Sequence, residues 1–362
     1  MTGDNQTMRN AFGMDGDEIF AAMNRAHELL TDKATVRGMA EFTNACPAAD
    51  KRKADAVRGT SEWLGAAGTT SMIMMYRDDP AALDSWAVLL DRVLTQPPCY
   101  RDLADWWLFF SALEAETGFQ LERCRSKKGE QGLTGHLLEA LATQGKAWSE
   151  VIAPAVARSG ATLAISDIDL QIGGGEQATG GDFGLILDFD GRTVQPGARR
   201  DVEERRIVPL IFQAKRYARP TASVSQANKL RGPQLNLLAA NNCASAYIFY
   251  ENLGDQETPL PPLVKPVESV ATPTTTDVLE DSIDFATYLL RAATNPACAP
   301  RARSPDDALR MIFSKASPSD LSALVVVSSD PQAITRYRSG WSMLQHMLRH
   351  RGSEDGQIHE EN

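Results

Sequence analysis

Two stretches decide the fold of this chain: Glu176-Gln-Ala-Thr-Gly-Gly-Asp182-Phe-Gly-Leu-Ile-Leu187, and Ile207-Val-Pro-Leu-Ile-Phe-Gln213-Ala-Lys215-Arg-Tyr217. Each sets polar residues beside an apolar run rich in Ile, Leu, Val and Phe, the composition of a strand. The second run is apolar at both odd and even positions, which predicts a central strand covered on both faces. Pro209 weakens its first half. Side chains alternate along a strand, so Gln213 and Lys215 share one face. Asp182 opens the first strand. A carboxylate, an amide oxygen and an ammonium brought to one sheet end form a site suited to a divalent cation and a phosphate, the parts of a metal-dependent phosphodiesterase.

Working outward, the pattern alternates helices and strands. Residues 133–158 have helical character, with a possible kink at Gly145, and 161–172, 182–189 and 207–215 read as strands. Asp190-Gly191 supplies turn chemistry after the second strand. Residues 233–240 read as a helix with Pro233 in its first turn, and 246–250 as a fourth strand. Helix, strand, strand, strand, helix, strand predicts a layered α/β core.

Toward the N-terminus, residues 16–130 read as helical, with 103–113 as a buried helix carrying Trp106, Trp107, Phe109 and Phe110. Residues 126–132 form a polar break. Beyond the core, 254–276 is rich in Pro and Thr and reads as a linker or long loop. Helices follow at 285–293 and 305–313, the latter capped by Ser304. A strand-length apolar run spans 321–327, and 331–349 looks helical. The chain ends in an acidic tail. The expected organisation is a helical accessory region (1–130), a core (131–252), a linker (253–281), a C-terminal α/β extension (282–351) and a tail (352–362). The extension is expected either to extend the core sheet or to form a small lobe of its own.

The motif pair resembles the PD-(D/E)XK nuclease superfamily. Gln213-Ala-Lys215-Arg-Tyr is similar to the Gln-x-Lys form of Mrr-type restriction endonucleases and related bacterial defence nucleases. The spacing of Glu176 and Asp182 resembles a branch reading Glu, then Thr-Gly-Ala-Asp. Gln234-Leu-Asn-Leu-Leu and Ala246-Tyr-Ile-Phe-Tyr-Glu-Asn resemble the helix and strand that follow there. The resemblance covers about residues 134–252. It implies a restriction-endonuclease-like three-layer core with a mixed central sheet, plus the N-terminal helical region.

The same resemblance implies an Mg²⁺- or Mn²⁺-dependent endonuclease acting on DNA more readily than RNA, in defence against phage or foreign DNA. Possible partners are a second copy of the chain or other proteins of a defence complex. Asp182, Glu176 and Gln213 would ligate the metal. Glu150, from the helix before the first strand, is the alternative acidic ligand, and Glu139 a third option. Lys215 would orient the attacking water and offset transition-state charge. Gln213 departs from the carboxylate more usual at its position and brings no charge. Arg216, Tyr217 and Gln234 would contact substrate, with Gln226 an alternative to Gln234. Gly180, Gly181 and Gly184 would let a phosphate backbone approach. The competing expectations are a non-catalytic nucleic-acid-binding or scaffold protein, and an RNase toxin.

Composition bounds these readings. The chain has 362 residues and a net charge of −10, which argues against passive nucleic-acid binding, although Lys and Arg are dense between 192 and 231. Its five cysteines are scattered, so neither a disulfide framework nor a zinc cage is expected. No apolar run approaches the roughly 20 residues of a membrane helix, and no signal-peptide pattern opens the chain, so the expectation is a cytoplasmic protein. His346 and His350 have metal-binding helical spacing but no glutamate between them. No phosphate-binding glycine loop and no Ser or Cys hydrolase motif occurs.

Overall fold

The computed structural model describes residues 103–357, apart from 125, 127, 152, 154–161, 169, 171–181, 190–204, 226, 229–231, 253–259 and 315–320. Expectations for residues 1–102 therefore lie outside the described residues, as do those for Glu176, Gly180, Gly181, Gln226 and half of the basic residues between 192 and 231.

The helices are α1 (Leu103–Glu122), α2 (Glu130–Val151), α3 (Gln234–Ala239), α4 (Phe285–Thr294), α5 (Pro305–Ile312) and α6 (Ala333–Gln357). The strands of the main sheet are β1 (Ala164–Ile168), β2 (Phe183–Asp188), β3 (Ile207–Tyr217), β7 (Ala244–Glu251), β8 (Leu263–Pro266), β10 (Ile283–Asp284) and β11 (Ala323–Ser328). Short strands β4 (Thr221–Ser223) and β9 (Thr275–Asp277) pair with each other, as do β5 (Ala227–Asn228) and β6 (Gly232–Pro233).

The protein is an α/β molecule with a mixed seven-stranded sheet in the order β1-β11-β2-β3-β7-β8-β10. β3 lies at its centre, antiparallel to β2 and parallel to β7. Its alternation divides the interior in two. Val208, Leu210, Phe212 and Ala214 join the cluster under α1, α2 and α4. Ile207, Ile211 and Tyr217 join the cluster under α3, α5 and α6. Both faces are thus covered, as the doubly apolar run implied. Pro209 stands one residue ahead of the β3–β7 ladder, so its missing N–H costs no bond to β7.

Three expectations change. Helix α1 packs into the sheet's own core through Trp107, Leu108, Phe109 and Ala112, so a boundary at residue 130 cuts through that core. The Arg206 guanidinium, paired at 2.7 Å with the wholly buried Asp105, ties α1 to the start of β3. The stretch read as a linker contributes β8 and β9, and Lys265 on β8 is buried with its ammonium donating to the carbonyls of Asp277 and Glu280. Helix α6 runs on to Gln357, through the start of the expected tail. The C-terminal strand extends the sheet from within: β11 runs between β1, antiparallel, and β2, parallel.

Helix α2 is continuous through Gly145. That glycine permits close packing rather than a kink, since a Cβ there would meet Ile165 Cδ1 at 2.5 Å. The Trp107 indole N–H donates to the Gly145 carbonyl at 2.8 Å across the same contact.

At the far side of the core, α1 meets the N-terminus of α4 through two carboxyls. Asp284 caps α4, its Oδ1 accepting from Thr287 N at 3.0 Å. Glu116, buried on α1, accepts from Ala286 N at 3.0 Å. Burial, then the adjacent Asp284, raises the Glu116 pKa well above the ordinary glutamate value. Asp284 Oδ2 is buried without a donor of its own. Burial and the neighbouring carboxyl thus favour the neutral form of Glu116.

Candidate active site

The β2–β3 ladder ends at Phe183 and Phe212, but β3 runs five residues further, to Tyr217. Along that overhang, alternate backbone N–H groups face the edge that β2 no longer covers. Carboxylates take the place of the missing strand. Asp182, immediately before β2, accepts from Ala214 N through Oδ2 at 2.8 Å. Glu130, the first residue of α2, accepts from Arg216 N through Oε1 at 3.1 Å. Donors two residues apart on a strand are separated by about 7 Å. The two carboxylates therefore follow each other along one strand edge.

Each is held from behind. The Asp182 N–H donates to Phe212 O at 2.7 Å, continuing the ladder by one bond. Its carbonyl accepts from both the N–H and the hydroxyl of Ser322, in the residue just before β11. Glu130 is fixed by its helix: Leu133 and Leu137 enter the core, and Thr134 Oγ1 lies 3.1 Å from the Tyr250 hydroxyl on β7.

Gln213 and Lys215 project from the same face of β3 and are 3% and 6% exposed. Gln213 Nε2 donates to Asp182 Oδ2 at 2.7 Å, and Gln213 Oε1 accepts from Gln234 Nε2 at 2.7 Å. Gln234 is the first residue of α3. Burial pushes the Asp182 carboxyl up to about 6; the Ala214 N–H, Lys215 and Gln213 pull against that, and Glu130 adds to it. Burial lowers the Lys215 pKa, opposed by the attraction of Glu130 and then Asp182. Asp182 and Lys215 are thus desolvated neighbours that act on each other, with Glu130 beside both.

The structure brings together Asp182, Gln213, Lys215 and Gln234. It does not bring Glu150 there. Glu150 is exposed at the opposite end of α2, about 30 Å along the helix axis from Glu130. Glu139 is exposed and faces His136 at 3.8 Å. Glu130 was missed because it falls in the stretch read as a polar break, ahead of the helix's apolar periodicity. The signal available was an acidic residue at the start of a helix, the place where a carboxylate is favoured.

Two expected substrate contacts also find other work. Tyr217 is 5% exposed, its ring edge-on to Phe249 in the core, which leaves no face for a base. The Arg216 guanidinium donates to Asn252 Oδ1 at 2.8 Å, and Asn252 in turn donates to the carbonyls of Cys124 and Ser126. Gly184 does not open a path for phosphate: a Cβ there would lie 2.9 Å from Leu324 Cδ1, inside the β2–β11 packing.

Among the described residues, no three His, Cys, Asp or Glu side chains form a metal cage. The donor set at the β3 edge is two carboxylates and an amide. Asp182 Oδ1 accepts no hydrogen bond among the described residues. Hard oxygens in this number suit Mg²⁺, which keeps several of its waters. A cation would also relieve the repulsion between Asp182 and Glu130. The residues therefore fit a hard divalent ion.

Among the described residues no helix is long and apolar enough to cross a membrane. No family model matches the chain, and no match was found among curated proteins or solved structures.

Proposed function

We propose that this protein is a metal-dependent endonuclease hydrolysing phosphodiester bonds, with DNA as its favoured substrate and a restriction-endonuclease-like core formed by α2, β1, β2, β3, α3 and β7. The observation that carries the reading is the pair of carboxylates, Asp182 and Glu130, on successive N–H groups of one β3 edge, beside Gln213 and Lys215. The insertion of β11 departs from a simple run of neighbouring strands but leaves β2, β3 and β7 adjacent. The preference for DNA over RNA and a role in defence rest on the motif resemblance.

In this reading Asp182 and Glu130 hold Mg²⁺ or Mn²⁺, with Gln213 a third oxygen donor. The bound ion would supply Lewis acidity to the phosphate and lower the pKa of a bound water. Lys215 offsets negative charge that develops on the phosphate in the transition state. Its desolvation strengthens that interaction, because little solvent screens it.

Purified protein incubated with supercoiled plasmid, and in parallel with RNA, tests the proposal. Mg²⁺ or Mn²⁺ should convert the plasmid to nicked and linear forms, and excess EDTA should stop cleavage. Asp182→Asn and Glu130→Gln should each remove it. Undiminished cutting in chelator, or by either variant, overturns the assignment. Cleavage of RNA alone would make the protein a ribonuclease using the same site.

A further inference from the structure

Gln213 turns its nitrogen, not its oxygen, toward Asp182. Its Nε2 donates to Asp182 Oδ2 and, at 3.1 Å, to the Ala214 carbonyl. Its Oε1 is engaged by Gln234 Nε2. An amide nitrogen does not ligate a hard cation, so a metal role for Gln213 needs the other end of the amide. Gln234 carries the complementary oddity. It is 8% exposed, and its Oε1 is buried with no hydrogen-bond partner. An unpaired buried acceptor is unfavourable.

The two amides touch end to end, and amide nitrogen and oxygen are nearly equal in size. A second arrangement of the same shape therefore exists. With both amides turned over, the unpaired Gln234 oxygen accepts from Gln213 Nε2, and Gln213 Oε1 faces the Asp182 carboxylate. Two oxygens so placed repel unless a cation joins them. The turn gives the Gln234 oxygen the partner it otherwise lacks.

We propose that Gln213 and Gln234 form a two-state amide relay coupled to divalent-cation binding. Without the cation, Gln234 donates to Gln213 and Gln213 donates to Asp182. With it, both amides turn and Gln213 presents its oxygen. Gln234 is a positioning residue that acts through Gln213. The inference rests on the nuclease reading, since that reading supplies the cation.

The test is Mn²⁺ affinity of the full chain, read from the electron paramagnetic resonance signal of free Mn²⁺, with thermal melting as the folding control. Gln234→Glu, whose carboxylate only accepts, should hold the Gln213 nitrogen and free its oxygen, tightening Mn²⁺ binding about tenfold, or ~1.4 kcal/mol. Gln234→Met favours neither orientation and should stay near wild type. Each is repeated with Gln213→Met. There only the added charge of Gln234→Glu remains, and the gain should fall to about twofold.

Equal gains in both backgrounds assign the effect to charge and overturn the relay. A substitution-free readout covers the case in which a variant does not fold. In ¹⁵N-labelled wild type, Mg²⁺ should shift the side-chain amide signals of Gln213 and Gln234 together. A Gln213 shift with Gln234 unmoved overturns the relay alone. Absence of Mn²⁺ binding, or binding unaltered by Asp182→Asn, overturns the nuclease reading and the relay with it.

Discussion

Asp182 and Glu116 are both carboxyls taken out of water, both with raised pKa, and each lies next to a second acidic residue. Their surroundings answer the same problem differently. Glu116 has Asp284 and the α4 N-terminus but, among the described residues, no ammonium or guanidinium as a hydrogen-bond partner, and its raised pKa favours the neutral form. Asp182 has two N–H donors, a desolvated Lys215 beside it and an Oδ1 that accepts no hydrogen bond among the described residues. A proton suffices for the first pair. For the second, the proposed occupant is a divalent cation. Buried acidity thus marks a structural joint in one place and a candidate reaction centre in the other, and the cation beside the carboxylate tells them apart.

The largest expected effect separates them by activity. Lys215→Ala should lower the cleavage rate by about 10²–10³, or roughly 3–4 kcal/mol of transition-state stabilisation. Melting should not fall, because β3 is packed by Leu210, Phe212 and Ala214. If rate and melting temperature drop together, Lys215 belongs with Glu116 as a structural group.

The next effect inverts that pattern. Glu116→Leu strands the Ala286 N–H and Asp284, and should cost about 2–3 kcal/mol of stability by chemical denaturation, with turnover per folded molecule unchanged. The pH dependence sharpens the point. The folded-state pKa of Glu116 lies above its unfolded value, so its proton stabilises the fold fully at low pH. That contribution is lost as pH rises from the ordinary glutamate range through the raised value. Glu116→Gln cannot ionise, so its stability should be flatter across the same range.

The smallest effect is a gain. Asp182 has a folded-state pKa of about 6, so its ionisation weakens the fold as pH rises from the ordinary aspartate range through that value. At pH 8 the whole cost is present. Asp182→Asn should therefore melt higher there, by roughly 1–2 kcal/mol after discounting for its partial exposure, while losing cleavage. Mg²⁺ should stabilise the wild type and not the variant. A variant less stable than wild type at pH 8 would make Asp182 a plain structural cap for Ala214.

What was legible in the sequence follows the range of the interactions. β2 and β3 were readable because both-faced apolarity is a local pattern, and the shared face of Gln213 and Lys215 because a strand has a period of two. Ser304 and Pro305 announced α5 for the same reason. Glu130 was not readable: the first residue of a helix has no apolar residues before it to set the phase. Tyr217 misled because alternation places it beside Lys215 without telling how deep the strand end lies. The linker reading failed because Pro266 closes β8, which pairs with both β7 and β10, Thr275 and Thr276 pair in β9, and Lys265 buries its ammonium against loop carbonyls rather than in solvent. The place of β11 between β1 and β2 depends on pairing across more than a hundred residues, about which local propensity says nothing.

That placement bears on timing. During synthesis β2 and β3 emerge early and can pair as neighbours, but β1 has no strand to join until β11 has been made. The residue that grips the Asp182 backbone, Ser322, arrives at the same moment. A growing chain that ends before Ser322 can carry Asp182, Gln213 and Lys215 and still have an unclosed sheet with its candidate site unanchored. For the nuclease proposed above, the order of synthesis would withhold a fixed Asp182 until Ser322 and β11 have been made.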